Sequence, residues 1–360
     1  MVKEKRVNPE PMIRKRRAVL GMAAVLLATF GTGLPLAAQH FKVTSTIPLA
    51  GKGNWDYVLA DSASRRLYVT LDNSVVVLNL DTQKIVGRVL VGGFVHGVAL
   101  DRSLGTGFVT SGEWPGEAKS PDEVAEFDLA TLTVKRKIKV GGNPDCIIYD
   151  PASKRILAFN HSKSKSVSII DPATFTVEHT VLLAGPPEYA VSDGEGHVYV
   201  NLEDANHIAS INTRNWKVEA NWSLGPCRGP SALTHDAEHS LLLSACSNQM
   251  LSVVDIRTGK VITTPKIGEG PDAALYDPAT RLVFSANYDG TLTILHQDSP
   301  AHYSTVQILK TAPDARTFTV DTKTGRMYIA VADVGPIAKG QEIPPVIPNT
   351  FRLLVVESAQ

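Results

Sequence analysis

The 360-residue sequence has few cysteines, few aromatic residues and no excess of either charge. Three cysteines in so long a chain exclude a small disulfide-built domain, and no CxxC pair is present to bind zinc. With 36 basic and 36 acidic residues and 43% hydrophobic residues, the composition also excludes an intrinsically disordered chain. Among enzyme motifs, the sequence lacks a GxSxG elbow, a Walker phosphate loop, GxGxxG and CxxCH. These absences indicate a folded protein without a common catalytic signature.

The balanced total charge conceals a difference between the first 39 residues and the rest. Residues 1–39 contain seven basic and two acidic side chains, whereas the remainder contains 29 basic and 34 acidic ones. A body of net negative charge has no general attraction for the phosphates of DNA or RNA. We therefore expect no nucleic-acid partner.

The basic first segment has the layout of an export signal. Met12 to Arg17 is positively charged, Ala18 to Leu36 is apolar and uncharged, and the small residues Ala37 and Ala38 follow. This order predicts a secretory signal over residues 1–39, and the glycines and proline within it favour cleavage over a membrane anchor. We expect a periplasmic or secreted protein without a membrane span after cleavage. The adjacent arginines leave the Sec and twin-arginine routes both open.

An internal repeat is the most informative feature of the sequence. An aspartate followed by a short polar stretch and a β-rich run recurs seven times, at spacings of 40 to 49 residues. The seven repeat aspartates are Asp61, Asp101, Asp150, Asp193, Asp236, Asp277 and Asp321. Aspartate favours the first position of a tight turn, and proline follows it in three of the repeat's turns. A period of about 40–45 residues is typical of a β-propeller blade.

Each repeat contains four short runs of β-branched and aromatic residues, which we name strands A to D. The predicted fold is all-β: residues 40–360 form a single seven-bladed β-propeller of four-stranded antiparallel blades. The last repeat lacks a fourth strand, while Phe41 to Leu49 is a strand without a repeat of its own. We therefore predict that the N-terminal strand completes the last blade and hides two sheet edges. We expect a monomer.

The ends of several B strands carry a recognisable motif. These are Tyr68-Val69-Thr70, Phe108-Val109-Thr110 and Tyr199-Val200-Asn201. The repeat resembles the YVTN family of β-propellers, which includes YncE-like periplasmic proteins, over residues 41–360. The resemblance implies the propeller fold and leaves the function open, because such proteins serve mostly as binding or scaffold proteins.

A ring of polar residues is predicted at one mouth of the central channel. The position five residues before each repeat aspartate begins strand A, the innermost strand of a blade. It holds Asp56, His96, Asp145, Glu188, Ser231 and Asp272, and Asp314 if the last repeat has a two-residue insertion. Oxygen ligands in a ring suit a divalent metal or a polyhydroxyl ligand. The alternative is structural, with each carboxylate capping backbone N–H groups and keeping the blades in register.

Two long loops are predicted on the same face as this ring. They connect strands B and C at 112–122 and 333–350. Binding sites concentrate on loops above a rigid scaffold, so we expect a small molecule, a glycan or a protein partner to bind at this mouth. Trp114 and the 333–350 loop would form its walls.

Two functions follow from this arrangement. The first is an exported, non-catalytic propeller that binds a ligand or partner at the acidic mouth. The second is a metal-assisted propeller enzyme, either a lactonase-like hydrolase or a redox-associated protein, with the ring carboxylates as ligands and His96 as a ligand or general base.

Cysteine and histidine positions give three further expectations. Cys227 precedes strand A of the fifth blade and Cys246 ends its strand B, so we predict a disulfide between them and a free Cys146. The sequence His235 to His239 matches the HxxEH zinc motif but lies at a predicted turn, where the motif lacks its helix. His161 and His207 are interpreted as solvated loop residues.

Overall fold

The computed structural model describes residues 40–49, 51, 53–113, 119–161, 163–337 and 344–359. The predicted export segment at 1–39 and Trp114 lie outside the described residues, so both remain predictions. Within the described part of the chain, no helix has the length and apolar character that crossing a bilayer requires.

The described chain forms 28 strands in seven four-stranded antiparallel sheets. The N-terminal strand is β1 (His40–Pro48). Blade one contains β2 (Trp55–Asp61), β3 (Arg66–Leu71), β4 (Ser74–Asn79) and β5 (Ile85–Leu90). Blade two contains β6 (Val95–Asp101), β7 (Thr106–Ser111), β8 (Glu123–Asp128) and β9 (Val134–Lys139). Blade three contains β10 (Pro144–Asp150), β11 (Arg155–Asn160), β12 (Ser166–Asp171) and β13 (Thr176–Leu182).

The remaining blades follow the same order. Blade four contains β14 (Pro187–Ser192), β15 (His197–Leu202), β16 (His207–Asn212) and β17 (Lys217–Ser223). Blade five contains β18 (Pro230–Asp236), β19 (Leu241–Cys246), β20 (Met250–Asp255) and β21 (Lys260–Thr263). Blade six contains β22 (Pro271–Asp277), β23 (Leu282–Asn287), β24 (Thr291–Ser299) and β25 (His302–Lys310). Blade seven contains β26 (Thr317–Asp321), β27 (Arg326–Val331) and β28 (Arg352–Ala359), and is completed by β1.

The ring closes as the repeat predicts. Strand β1 pairs antiparallel with β28, with Val43 opposite Val356 and Ile47 opposite Leu353. The inner strands of neighbouring blades contact one another around the ring, and β2 contacts β26. The predicted all-β, seven-bladed propeller with its N-terminal strand in the last blade is therefore confirmed.

The blades hold together through apolar faces and through the repeat aspartates. The middle strands are almost fully buried. Aromatic rings also meet between blades one and two, where the ring centroids of Tyr68 and Phe127 are 6.2 Å apart. On the face opposite the predicted ring, Asp61 accepts hydrogen bonds from the Ser64 backbone and from Arg102 of the next blade. The repeat aspartate thus has two uses, since it closes its own turn and joins adjacent blades.

The HxxEH match is confirmed to be unrelated to a helix. His235 lies in β18 and His239 in the following turn, where its Nδ1 is 2.8 Å from Asp236 Oδ2. His239 therefore stabilises the turn between β18 and β19 of blade five.

Candidate functional site

The polar ring lies at the start of the seven innermost strands. In blades one to six the ring residue is the second residue of its strand, namely Asp56, His96, Asp145, Glu188, Ser231 and Asp272. In each of these six strands the pairing register shifts next to this residue, which marks a β-bulge. Bulges redirect side chains beside functional sites. Here they interrupt the strand pairing at the channel mouth.

Blade seven departs from the predicted ring. The insertion assumed for the last repeat is absent, because Arg316 directly precedes β26 and stands five residues before Asp321. Asp314 lies two residues earlier, in a left-handed backbone conformation with φ of 66° that aspartate tolerates. The ring position of blade seven therefore holds a cation, and Asp314 reaches the ring as its partner.

Arg316 neutralises one side of the mouth. Its Nε donates to Asp272 Oδ2 at 2.9 Å, and its guanidinium also pairs with Asp314. The guanidinium carbon lies 5.5 Å from the ring centroid of Trp55, which is a cation–π distance. Burial raises the pKa of Asp272 to about 6, although Arg316 acts in the opposite direction.

Asp56, His96 and Asp145 meet on the other side of the mouth. His96 Nδ1 is 2.7 Å from Asp56 Oδ2 and 3.5 Å from Asp145 Oδ1. The His96 side chain is only 4% exposed. Burial lowers the pKa of His96, but the hydrogen bond to Asp56 and the charge of Asp145 outweigh it, so the pKa is raised. Burial and the charge of Asp56 raise the pKa of Asp145. One potential ligand atom from each residue lies within 4.8 Å of the other two.

Buried threonines on the second strands fix the backbone beneath this cluster. Thr70 Oγ1 accepts a hydrogen bond from the Asp56 N–H and donates to the Tyr57 carbonyl. Thr110 Oγ1 accepts from the Gly97 N–H and donates to the Asp145 carbonyl of the next blade at 2.6 Å. These two threonines therefore satisfy backbone polar groups at the bulges of blades one to three.

Gly97 allows β6 and β10 to approach closely. A Cβ at this position would lie 2.9 Å from Ile147 Cγ2 and 3.1 Å from the Asp145 carbonyl oxygen. Only glycine fits so close to the neighbouring backbone. Its position next to His96 is what brings the imidazole within reach of Asp145.

A second group, which the sequence interpretation missed, contains His161, Glu188 and Glu203. His161 Nε2 is 3.3 Å from Glu203 Oε2 and 3.8 Å from Glu188 Oε1. Burial raises the pKa of Glu188 well above its ordinary value, and the charge of Asp145 raises it further. His161 and Glu203 each directly follow a B strand, and that shared position is the sequence signal that would have found them. The interpretation of His161 as a solvated residue is therefore wrong.

Ser231 has a structural role. Its side chain is buried and its hydroxyl donates to the Pro271 carbonyl of the next blade. In blade five, therefore, the ring position links two blades.

Two tyrosines form a floor below the ring. Tyr57 of blade one and Tyr189 of blade four come from distant blades, yet their ring centroids are 5.5 Å apart. Beyond them, a cavity of about 320 Å³ is lined by Cys146, Leu100, Tyr149 and other inner-strand residues. The mouth is therefore a cup with carboxylates at its rim and aromatic rings at its base.

The described parts of the two long loops form ion pairs, and two of the three cysteines form a disulfide. Lys163 Nζ pairs with Glu113 Oε1 at 2.8 Å, and Arg352 pairs with Asp333 at 2.9 Å. Cys227 and Cys246 form a disulfide with their Cα atoms 5.7 Å apart, and Cys146 is free and buried.

A larger cavity, of about 750 Å³, lies at the seam between blades six and seven. Phe41, Phe284 and Met327 are among the residues that line it, together with the turns on the face opposite the ring. By volume alone, the cavity between blades six and seven is the better candidate. The ionisable side chains of the ring, however, lie at the channel mouth, so we place the candidate site at the mouth.

No protein-family model matches the chain, and no curated protein sequence matches it. The fold and the geometry of the mouth therefore carry the functional argument.

Proposed function

We propose that the protein is an exported, non-catalytic β-propeller of YVTN type that binds a positively charged ligand at the acidic mouth. The observation that carries this proposal is the placement of Asp56, Asp145 and Glu188 at equivalent starts of inner strands, beside the Tyr57–Tyr189 pair. Carboxylates crowded in a buried site repel one another, and a bound cation removes that repulsion. Aromatic rings beneath a carboxylate rim suit an organic ammonium group, because the ring face attracts a cation.

Two further features support export. The first is the charged and apolar layout of residues 1–39. The second is the disulfide between Cys227 and Cys246, since disulfides form and persist in oxidising compartments.

Calorimetric titration with spermidine, and with the neutral diol 1,8-octanediol as the uncharged probe, tests the binding proposal. We expect spermidine alone to bind, with a Kd below about 1 mM. Glu188→Gln should weaken this binding at least tenfold, because it removes one rim carboxylate. The matched control is Glu178→Gln on the outer strand β13, whose carboxylate pairs with Arg155 away from the mouth. Equal effects of the two variants, or no spermidine binding, would contradict the proposal.

A metal-assisted hydrolase is the second candidate, favoured by the imidazole and two carboxylates of Asp56, His96 and Asp145. It predicts lactone hydrolysis that depends on added Zn²⁺ or Mn²⁺ and is lost in His96→Gln. Binding of the ion without turnover of δ-gluconolactone would favour the binding protein.

A further inference from the structure

The side chains of Asp56, His96 and Asp145 come from three successive blades and meet at one point. All three occupy the second position of an inner strand, in β2, β6 and β10. Buried threonine hydroxyls hold the backbone at Asp56 and Asp145, and the Gly97 approach aligns His96 with them. A group of ligands held in this way is organised before any ion arrives.

Two observations beyond the clustering point to an ion at this position. Asp145 Oδ1 is buried and has no hydrogen-bond donor among the residues that the structure describes. His96 directs its Nδ1 at both carboxylates, whereas its Nε2 faces Gly112. A metal-binding histidine likewise directs one ring nitrogen at the ion and leaves the second for a partner outside the ligand set.

The distances agree with a small coordination sphere. Ligand atoms of a tetrahedral zinc ion lie about 3.4 Å apart, given metal–ligand bonds of about 2.1 Å. His96 Nδ1 and Asp145 Oδ1 are already 3.5 Å apart, whereas Nδ1 and Asp56 Oδ2 are 2.7 Å apart. For the pair of His96 and Asp56, an ion therefore requires the two ligand atoms to separate by about 0.7 Å.

The charges favour this side of the mouth. Arg316 pairs with Asp272 and Asp314, which leaves Asp56, Asp145 and Glu188 as the rim carboxylates that this guanidinium does not pair with. Two carboxylates compensate the charge of a divalent ion, and an imidazole selects transition metals over calcium and magnesium.

We propose that Asp56, His96 and Asp145 bind one divalent transition-metal ion of the zinc type. This inference rests on the proposed function, because it names one cation for the same mouth. Three protein ligands would leave a coordination position open, which a ligand group can complete.

Titration of chelator-treated protein with Co²⁺ and Zn²⁺ tests the site. We expect one Co²⁺ per chain, a visible absorption spectrum of low-symmetry Co²⁺, and displacement by Zn²⁺. His96→Gln should weaken Co²⁺ binding more than about 100-fold, since loss of even an outer partner of a ligand costs about 10- to 100-fold. Asp145→Asn, which keeps the side-chain shape, provides a second variant. Unfolding curves show that each variant is folded.

His197→Gln is the matched control, because its imidazole pairs with Glu219 on the outer strand β17, away from the mouth. We expect it to change Co²⁺ affinity less than threefold. Absence of stoichiometric Co²⁺ binding, or loss of binding in His197→Gln with retention in His96→Gln, would overturn the assignment. Spermidine binding that still depends on Glu188 would then show that the cation-binding proposal stands without the metal.

Discussion

Truncation of Phe41 to alanine tests how the N-terminal strand is held in the ring. Phe41 is 7% exposed and is the only buried residue of β1. Its ring meets Phe284 of blade six edge to face, with centroids 5.3 Å apart. Its backbone N–H and carbonyl both hydrogen-bond the side-chain amide of Gln307, also in blade six. Phe41 therefore joins the last blade to the one before it.

The expected loss is about 3 kcal/mol in the free energy of unfolding. Removal of a buried phenylalanine side chain costs about 3–5 kcal/mol, and about 1 kcal/mol of this belongs to the aromatic pair. The low end applies because Phe41 borders the seam cavity, so neighbouring groups can relax into the space. Val43, in the same strand, is 37% exposed, and Val43→Ala should cost less than about 1 kcal/mol.

Urea unfolding followed by circular dichroism measures both variants, with the denaturant slope checked for constancy. A double-mutant cycle with Phe284→Ala should give a coupling energy of about 1 kcal/mol. Equal losses for Phe41→Ala and Val43→Ala would refute the reasoning, because the backbone ladder alone would then hold β1.

Two further predictions concern stability. The disulfide joins residues 19 positions apart, so Cys227→Ala with Cys246→Ala should cost about 3 kcal/mol, measured by denaturant unfolding. A reductant should lower the stability of the wild type and leave the double variant unchanged; an unaffected wild type would contradict this. For Asp321, burial alone would raise the pKa, but hydrogen bonds from Arg65 and Thr324 lower it below the ordinary 3.8. The ionised carboxylate therefore stabilises the fold above about pH 4, and this contribution is lost as the pH falls further. Asp321→Asn should be less stable than wild type at pH 7, with a difference that narrows below pH 4. A difference that stays constant down to pH 3 would argue against the pair.

The fold was predictable because each blade repeats the same local rules. A turn aspartate and alternating β-branched residues recur in all seven repeats, and local agreement of this kind specifies a structure strongly. The missing fourth strand and the extra strand at Phe41 were both visible in the sequence, and together they predicted the closure.

The site was less predictable because its contacts cross the channel. Tyr57 and Tyr189 belong to blades one and four, and no local pattern indicates that their rings meet. Arg316 stands five residues before Asp321, which is the spacing of the ring position. Asp314 matches the other ring residues in being a carboxylate, but its spacing differs by two residues. His161 directly follows a B strand, as Glu203 does, but neither stands at the ring position that the spacing marks. A repeat identifies equivalent positions, whereas the partners across the channel depend on its width.

The pairing of β1 with β28 has a consequence for synthesis and transport. The Thr44 hydroxyl donates to the Val355 carbonyl across this strand pair, and the two residues are 311 positions apart along the chain. The ribosome therefore makes one partner early and must add six blades before the other exists. Blade seven cannot assemble during translation of the preceding blades, and contacts of such long sequence separation form slowly. Under the export that we propose, the ring would close only after the unfolded chain has crossed the membrane, where the disulfide of blade five can also form.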